Sequence, residues 1–361
     1  MQFYMPVRVY DEQDCVHRHA AELGALGSKA LIVTGRHSAA ACGALGDVED
    51  ALREAGKAFC VFSEIEENPS VETVMRAALY GKEEGADFCI GIGGGSPMDA
   101  AKAIAFLLAQ EQPDVSTLYD AKVPTKAVPI AEVPTTCGTG SEVTGVSVLT
   151  RHEKRTKGSI PHKIFGNIAL IDGKYLKGAP RSVITNTAVD ALAHMVESYE
   201  SVKSDVYSRA AILAGLRLWS TVRDVIAGER EADDADRAAL MRASAFAGIA
   251  IAQTGTSIPH ALSYIVTYDV RMPHGKACGI FLPGFFREMS SEDRDVLLGA
   301  AGFEDQAAFD AYISKLYPEI LVPEETMRRT CETVLGQTER LKACRFPVDA
   351  EVLARIADLR G

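Results

Sequence analysis

Four side chains in the second half of the sequence could hold one metal ion. Asp190 and His194 stand four apart in TAVDALAHMVESYES, a segment with helical spacing, so both fall on one helix face. His260 and His274 follow in TSIPHALSYIVTYDVRMPHGKA, the first at the expected start of a helical stretch and the second in a Pro–His–Gly turn. One carboxylate and three imidazoles make a nitrogen and oxygen donor set without thiolate. Such a set suits Fe(II) or Zn(II) and disfavours Ca or Mg, which prefer oxygen. The chain has eight histidines, and an Asp/His pair one turn apart is also a common local contact. The spacing by itself leaves both readings open.

A second group could hold phosphate. Gly91–Asp99 reads GIGGGSPMD, after an expected strand and before an expected helix. Gly93, Gly94 and Gly95 let the backbone approach a ligand, Ser96 is a good N-cap and Pro97 suits the first helical position. Such a turn offers N–H groups and the positive end of a helix dipole, where a pyrophosphate binds. It is not the GxGxxG of a Rossmann fold, and a tight turn without ligand would use the same residues. In PTTCGTGSEVT, from Pro134 to Thr144, the hydroxyls of Thr135, Thr136, Thr139 and Thr144 could bond a cofactor or cap their own turn.

The elements that must carry these residues change character along the chain. Strand-like runs at Ala30–Thr34, Phe59–Phe62 and Asp87–Ile92 alternate with helical segments at Ala39–Ala55, Val71–Glu84 and Pro97–Ala109. That alternation predicts a parallel sheet with helices on both faces. Another strand is expected from Lys126, and a hairpin within Glu142–Leu170 with EKRTKG as its turn. Beyond Pro180 helical stretches dominate, among them Thr187–Ser201, Tyr207–Val225, Ala235–Gln253 and much of 290–357. The expected organisation is an α/β domain at 1–179 and an all-helical domain at 180–361, with the cleft between them as the natural ligand site.

At 361 residues the chain exceeds the roughly 250–300 at which single cores stop growing. A net charge of -11 argues against a nucleic-acid surface. The eight scattered cysteines form no CxxC pair, the N-terminus lacks a secretory pattern, and no run is apolar enough to span a membrane. The expectation is a reduced, cytoplasmic protein.

GGGSPMDAAKA, VPTTCGTGSEVT, DALAHMVESY and PHALSYIVTYDVRMPHG, in this order and spacing, together resemble the iron-containing (group III) alcohol dehydrogenase family, from the first strand to about residue 283. The resemblance implies a dehydroquinate synthase-like fold, with a nucleotide-binding α/β domain and a helical metal-binding domain. It implies Asp190, His194, His260 and His274 as ligands of Fe2+ or Zn2+. It places Gly94, Gly95, Ser96, Asp99, Thr135, Thr136, Thr139, Thr144, Lys157 and Asn68 at the cofactor, and a homodimer as the assembly.

Three departures stand out. Where many members have a histidine four residues after the third ligand, this chain has Tyr264. After the first strand, Gly35, Arg36, His37 and Ser38 replace the aspartate common in NAD-preferring members, which favours NADP(H) over NAD(H). Beyond about 285 no motif matches, and the chain is somewhat short for the family. The function implied is hydride transfer between the cofactor and a small alcohol/aldehyde or ketone pair, with Asp99, Tyr264 and His274 nearest the chemistry. Two alternatives use the same fold: a dehydroquinate synthase-type lyase and a glycerol dehydrogenase-like polyol oxidoreductase. A non-enzymatic nucleotide-binding protein would not need the ligand set.

Overall fold

The computed structural model describes residues 3–154 and 156–358. Among the described residues eight strands run in order β1 (Arg8–Asp11), β2 (Lys29–Thr34), β3 (Ala58–Phe62), β4 (Phe88–Gly93), β5 (Ile130–Pro134), β6 (Val148–Arg151), β7 (Thr156–Ser159) and β8 (Ile168–Ile171). Six form one parallel sheet in the order β1-β8-β5-β4-β2-β3, while β6 and β7 pair antiparallel as a separate hairpin. Successive strand residues point to opposite faces. Leu31 and Val33 of β2 enter one apolar layer with Val74, Ala78 and Phe106. Ala30 and Ile32 enter the other, with Val48, Leu52 and Leu170. Burial on both sides is why β2 and β4 read as continuous apolar runs, and it fits the expected α/β sheet with helices on both faces.

Local chemistry moves several boundaries. The Ala39–Ala55 stretch is two helices, Ser38–Ala41 and Ala44–Glu54, separated where Gly43 takes φ 87°. The Tyr207–Val225 stretch splits into Val206–Ser220 and Arg223–Ala227. The Ser220 and Thr221 hydroxyls donate back to the Arg217 and Leu218 carbonyls there, competing with the helical ladder. The expected hairpin is β6–β7; Arg155 of its turn lies outside the described residues. Strands β1 and β8 were not expected, because β1 is mostly exposed and β8 has only four residues. No described helix is long and apolar enough to cross a membrane.

The chain divides into two compact units. The first, Met5–Thr136 and Gly140–Ala179, holds the sheet. The second runs from Pro180 onward and includes Cys137–Thr139 and Tyr4. Its central element is the Arg181–Tyr199 helix, buried throughout from Ala188 onward, against which Asp234–Thr254, Val206–Ser220 and His274–Gly279 pack. Past 285 the helices Ser291–Ala300, Gln306–Leu316, Glu324–Leu335 and Ala350–Ile356 complete it, and Phe303 joins Trp219 to Phe309.

In the first unit a buried cation ties the loop after β5 to the helix Gly95–Leu108. Lys102, fully buried, donates to Ser141 O and Oγ, each at 2.6 Å, and to Val146 O at 3.2 Å. Asp99 accepts from Ser141 Oγ at 2.6 Å and from Val148 N at 2.8 Å, and its carboxylate lies 3.7 Å from Lys102 Nζ. Removing one partner of a buried charged network typically costs about 3–5 kcal/mol. We expect Lys102→Met to lower unfolding stability in urea by that order, without changing the far-ultraviolet spectrum. A loss below about 1 kcal/mol would show that the loop is held by other contacts.

Candidate functional site

The Arg181–Tyr199 helix presents Asp190, His194 and Glu197 at positions i, i+4 and i+7, one face of one helix. His260 sits in the first turn of the Ile258–Val270 helix, which has Pro259 near its start. His274 was expected in a loop; it is instead the first residue of the helix His274–Gly279. That helix approaches the Arg181–Tyr199 helix so closely that a Cβ on Gly275 would stand 1.7 Å from Asn186 O. Only glycine permits the approach that brings His274 to the group.

Three imidazoles converge on one oxygen. Asp190 Oδ1 lies 3.4 Å from His260 Nε2, 3.8 Å from His274 Nε2 and 4.0 Å from His194 Nε2. The other nitrogen of each ring is engaged on its outer side. His194 Nδ1 meets the Gly138 carbonyl at 3.3 Å, and a carbonyl only accepts, so Nδ1 carries the hydrogen. His260 Nδ1 bonds Glu197 Oε1, whose second oxygen accepts from the backbone and hydroxyl of Ser257. Ser263 gives its own hydrogen to His260 O at 2.8 Å and faces His274 Nδ1 at 3.5 Å with its lone pairs. Each Nε2 lone pair is thereby turned inward, as metal-ligating histidines are held.

The charges agree with that arrangement. Burial alone would raise the Asp190 carboxyl, but the facing histidines hold it well below the usual carboxylate range. Burial pushes His194 down to about 4, so its ring is neutral and can act as a ligand. Asp190 Oδ1 and His260 Nε2 are buried and make no hydrogen bond within the described structure. Buried polar atoms are seldom left so. A cation among the three rings would satisfy both, and the donor set is of the kind that takes Fe(II) or Zn(II).

Two members of this group were missed in the sequence. Glu197 had a signal, the helical i+3 spacing from His194. Cys278 stands four residues after His274 on the same helix, and with Asp190, His260 and His274 it offers donor atoms all within 4.8 Å of one another. The expectation of a donor set without thiolate hid it.

The residues expected at the cofactor gather in the first unit, with one exception. The helix after β4 begins at Gly95 with Gly94 as its N-cap, so Ser96 and Pro97 each sit two positions deeper than expected. The cause is at Gly93, whose φ of 151° seats Pro97 beneath it; a Cβ there would lie 2.6 Å from the proline ring. No side chain caps this helix. Ser96 Oγ instead accepts from Asn68 N at 3.1 Å, and Asn68 Oδ1 accepts from Lys157. Thr136 lies beside Gly94, and Thr135 N donates to Gly93 O at 2.8 Å, so the two loops adjoin. Thr144 is buried beside Lys102, donating to Ser141 O at 3.3 Å. Thr139 belongs to the short segment in the second unit. Gly35 and Arg36 follow β2, Ser38 opens the next helix, and Arg36 is exposed with no carboxylate partner among the described residues.

The family profile of iron-containing alcohol dehydrogenases matches residues 6–173, and that of the family's C-terminal region matches residues 184–317. The chain is 33% identical over 264 residues to the sulfoacetaldehyde reductase of Bilophila wadsworthia, covering 72% of this chain and 67% of that protein. It is 32% identical over 264 residues to the lactaldehyde reductase of Escherichia coli, covering 72% and 68%. A crystal structure of an iron-containing alcohol dehydrogenase superposes with a TM-score of 0.90 at 33% identity over 99% of both chains. That of Thermotoga maritima superposes with a TM-score of 0.89 at 34% identity over 98% of both. The likeness thus continues past 283, where the sequence motifs stop, and beside these two structures the chain is not short. The chain belongs to the iron-containing alcohol dehydrogenase family and is an oxidoreductase of the alcohol dehydrogenase and aldehyde reductase class.

Proposed function

We propose that the chain interconverts a small alcohol and its aldehyde or ketone by hydride transfer with NADP(H), using Fe2+ or Zn2+ held by Asp190, His194, His260 and His274. The observation that carries this reading is the convergence of three inward-turned Nε2 atoms within 3.4–4.0 Å of Asp190 Oδ1. When bound, such an ion supplies Lewis acidity toward the substrate oxygen, easing loss of the alcohol proton or polarising the carbonyl. The protein's part is to orient. Glu197 fixes the ring of His260, the Gly138 carbonyl that of His194, and Ser263 that of His274.

The uncapped N–H groups at Gly95 and Ser96, with the helix dipole behind them, suit the cofactor's pyrophosphate. Asn68, Lys157 and the Thr135–Thr136 pair surround that turn. Asp99 has both oxygens engaged by Ser141 and Val148, which suits a positioning part better than proton transfer. Tyr264 stacks parallel to the His274 ring with centroids 6.0 Å apart and is 38% exposed, which suits a route for the proton through its hydroxyl, the cofactor ribose being the other. Arg36 is free to pair with a 2′-phosphate. The eight free cysteines suit a reducing, cytoplasmic setting, and the family resemblance favours a homodimer.

Anaerobic reconstitution with Fe2+ or Zn2+, followed by NADPH oxidation with short aldehydes and ketones, tests the reading. Net NADPH consumption that depends on metal is expected, whereas a lyase would leave the cofactor unchanged over a turnover. His260→Ala should lose metal and activity together while still binding NADPH; full turnover of the metal-free variant would end the mechanism. Glu197→Gln should weaken metal retention against a chelator roughly 10- to 100-fold, the usual cost of losing a partner that orients a ligand. Arg36→Asp should reduce kcat/KM with NADPH roughly 10- to 100-fold, the scale of a charge-assisted phosphate contact, and spare NADH. Equal losses with both cofactors would remove Arg36 from the 2′-phosphate.

A further inference from the structure

The donor atoms around Asp190 do not stop at the imidazoles. Cys278 is fully buried on the same short helix as His274, with Sγ 3.8 Å from His274 Nε2. Donors bound at about 2.0–2.3 Å in tetrahedral geometry stand roughly 3.3–3.8 Å from one another. The separations here are 3.4 Å from Asp190 Oδ1 to His260 Nε2, 3.8 Å from Asp190 Oδ1 to His274 Nε2, and 3.8 Å from Sγ to His274 Nε2. All four donor atoms lie within 4.8 Å of each other. Two of them, Asp190 Oδ1 and His260 Nε2, are among the buried atoms without hydrogen-bond partners.

Ring orientation separates the histidines. An imidazole lone pair lies in the plane of its ring. His260 and His274 cross at 71°, so their lone pairs can meet at one point. His194 stacks on His260 with centroids 4.4 Å apart and planes 17° from parallel. Its Nε2 is also the farthest of the three from Asp190 Oδ1.

We propose that Cys278 is a further ligand of the metal centre, adding a sulfur donor to Asp190, His194, His260 and His274 and shifting the preference of the site from Fe(II) toward Zn(II). This rests on the metal-centre reading given above. A thiolate is a soft donor and shifts a site toward thiophilic ions. Entry of the ion displaces the thiol proton to solvent, and no oxidation state changes.

The test uses the whole chain stripped of metal and loaded anaerobically. With one equivalent of Co(II), the expected spectrum has visible d–d bands and a sulfur-to-cobalt charge-transfer band in the near ultraviolet. In Cys278→Ser the charge-transfer band is lost and the d–d bands remain. X-ray absorption at the zinc edge of the unmodified chain should show one sulfur at about 2.3 Å, a measurement that needs no variant. In competition, Cys278→Ser should lower the preference for Zn(II) over Fe(II) at least tenfold. Stoichiometric Co(II) binding without charge transfer, and a zinc shell of nitrogen and oxygen only, would overturn the assignment of Cys278 and leave the metal centre standing. Failure to bind Co(II) at one equivalent, unaffected by His260→Ala, would overturn both.

Discussion

A carboxylate buried in a helical core has to be compensated, and the second unit is organised around that requirement at Asp190. Its side chain is only 5% exposed, in the middle of a helix whose buried positions are mostly apolar. An uncompensated charge there would cost several kcal/mol. Compensation comes from three rings on three helices, and each has its outer nitrogen tied to a neighbour. Glu197, one helical turn beyond His194, is itself a buried carboxylate, and it is satisfied by His260 and Ser257. Gly275 is what lets the third ring come near enough. The packing of the unit and the aim of its donors are therefore one constraint, because a helix displaced by an ångström would misdirect a lone pair.

The first unit meets a parallel requirement with opposite charge. Lys102 is an ammonium at full burial, and it is satisfied by carbonyls and a hydroxyl of the loop after β5, with Asp99 beside it. That loop is thereby fixed against the helix whose N-terminus is left uncapped. The turn can be open to a ligand because its stability comes from the network one to two turns further along the helix.

What the sequence revealed follows from the range of the physics involved. The alternation of β2, β3 and β4 with helices is local, and so is the i, i+4 spacing of Asp190 and His194. The glycine turn was legible for the same reason, although its cap was misplaced because the φ of Gly93 depends on how Pro97 packs. β1 escaped notice because, with one side chain half-buried and the rest exposed, its apolar pattern is weak. Cys278 and Glu197 lie at helical spacing from proposed donors, yet their roles depend on which helices meet across the unit. No local pattern encodes that meeting. The proposed ligand set rests on the order of four motifs, which carries the long-range information that spacing lacks.

Unpartnered buried atoms do not by themselves mark a site, and the chain contains a contrasting pair. Glu132 on β5 is fully buried with neither carboxyl oxygen hydrogen-bonded, as Asp190 Oδ1 is not. Burial pushes the Glu132 carboxyl well above its ordinary range, with Lys102 only partly opposing and Asp99 and Glu142 adding to the rise. That carboxyl keeps its own proton and needs no cation. Asp190 is held anionic by the histidines facing it, so its negative charge persists when the proton has gone. A buried orphan that stays charged, among imidazole donors aimed at it, calls for an ion; a buried orphan that stays neutral is part of the core.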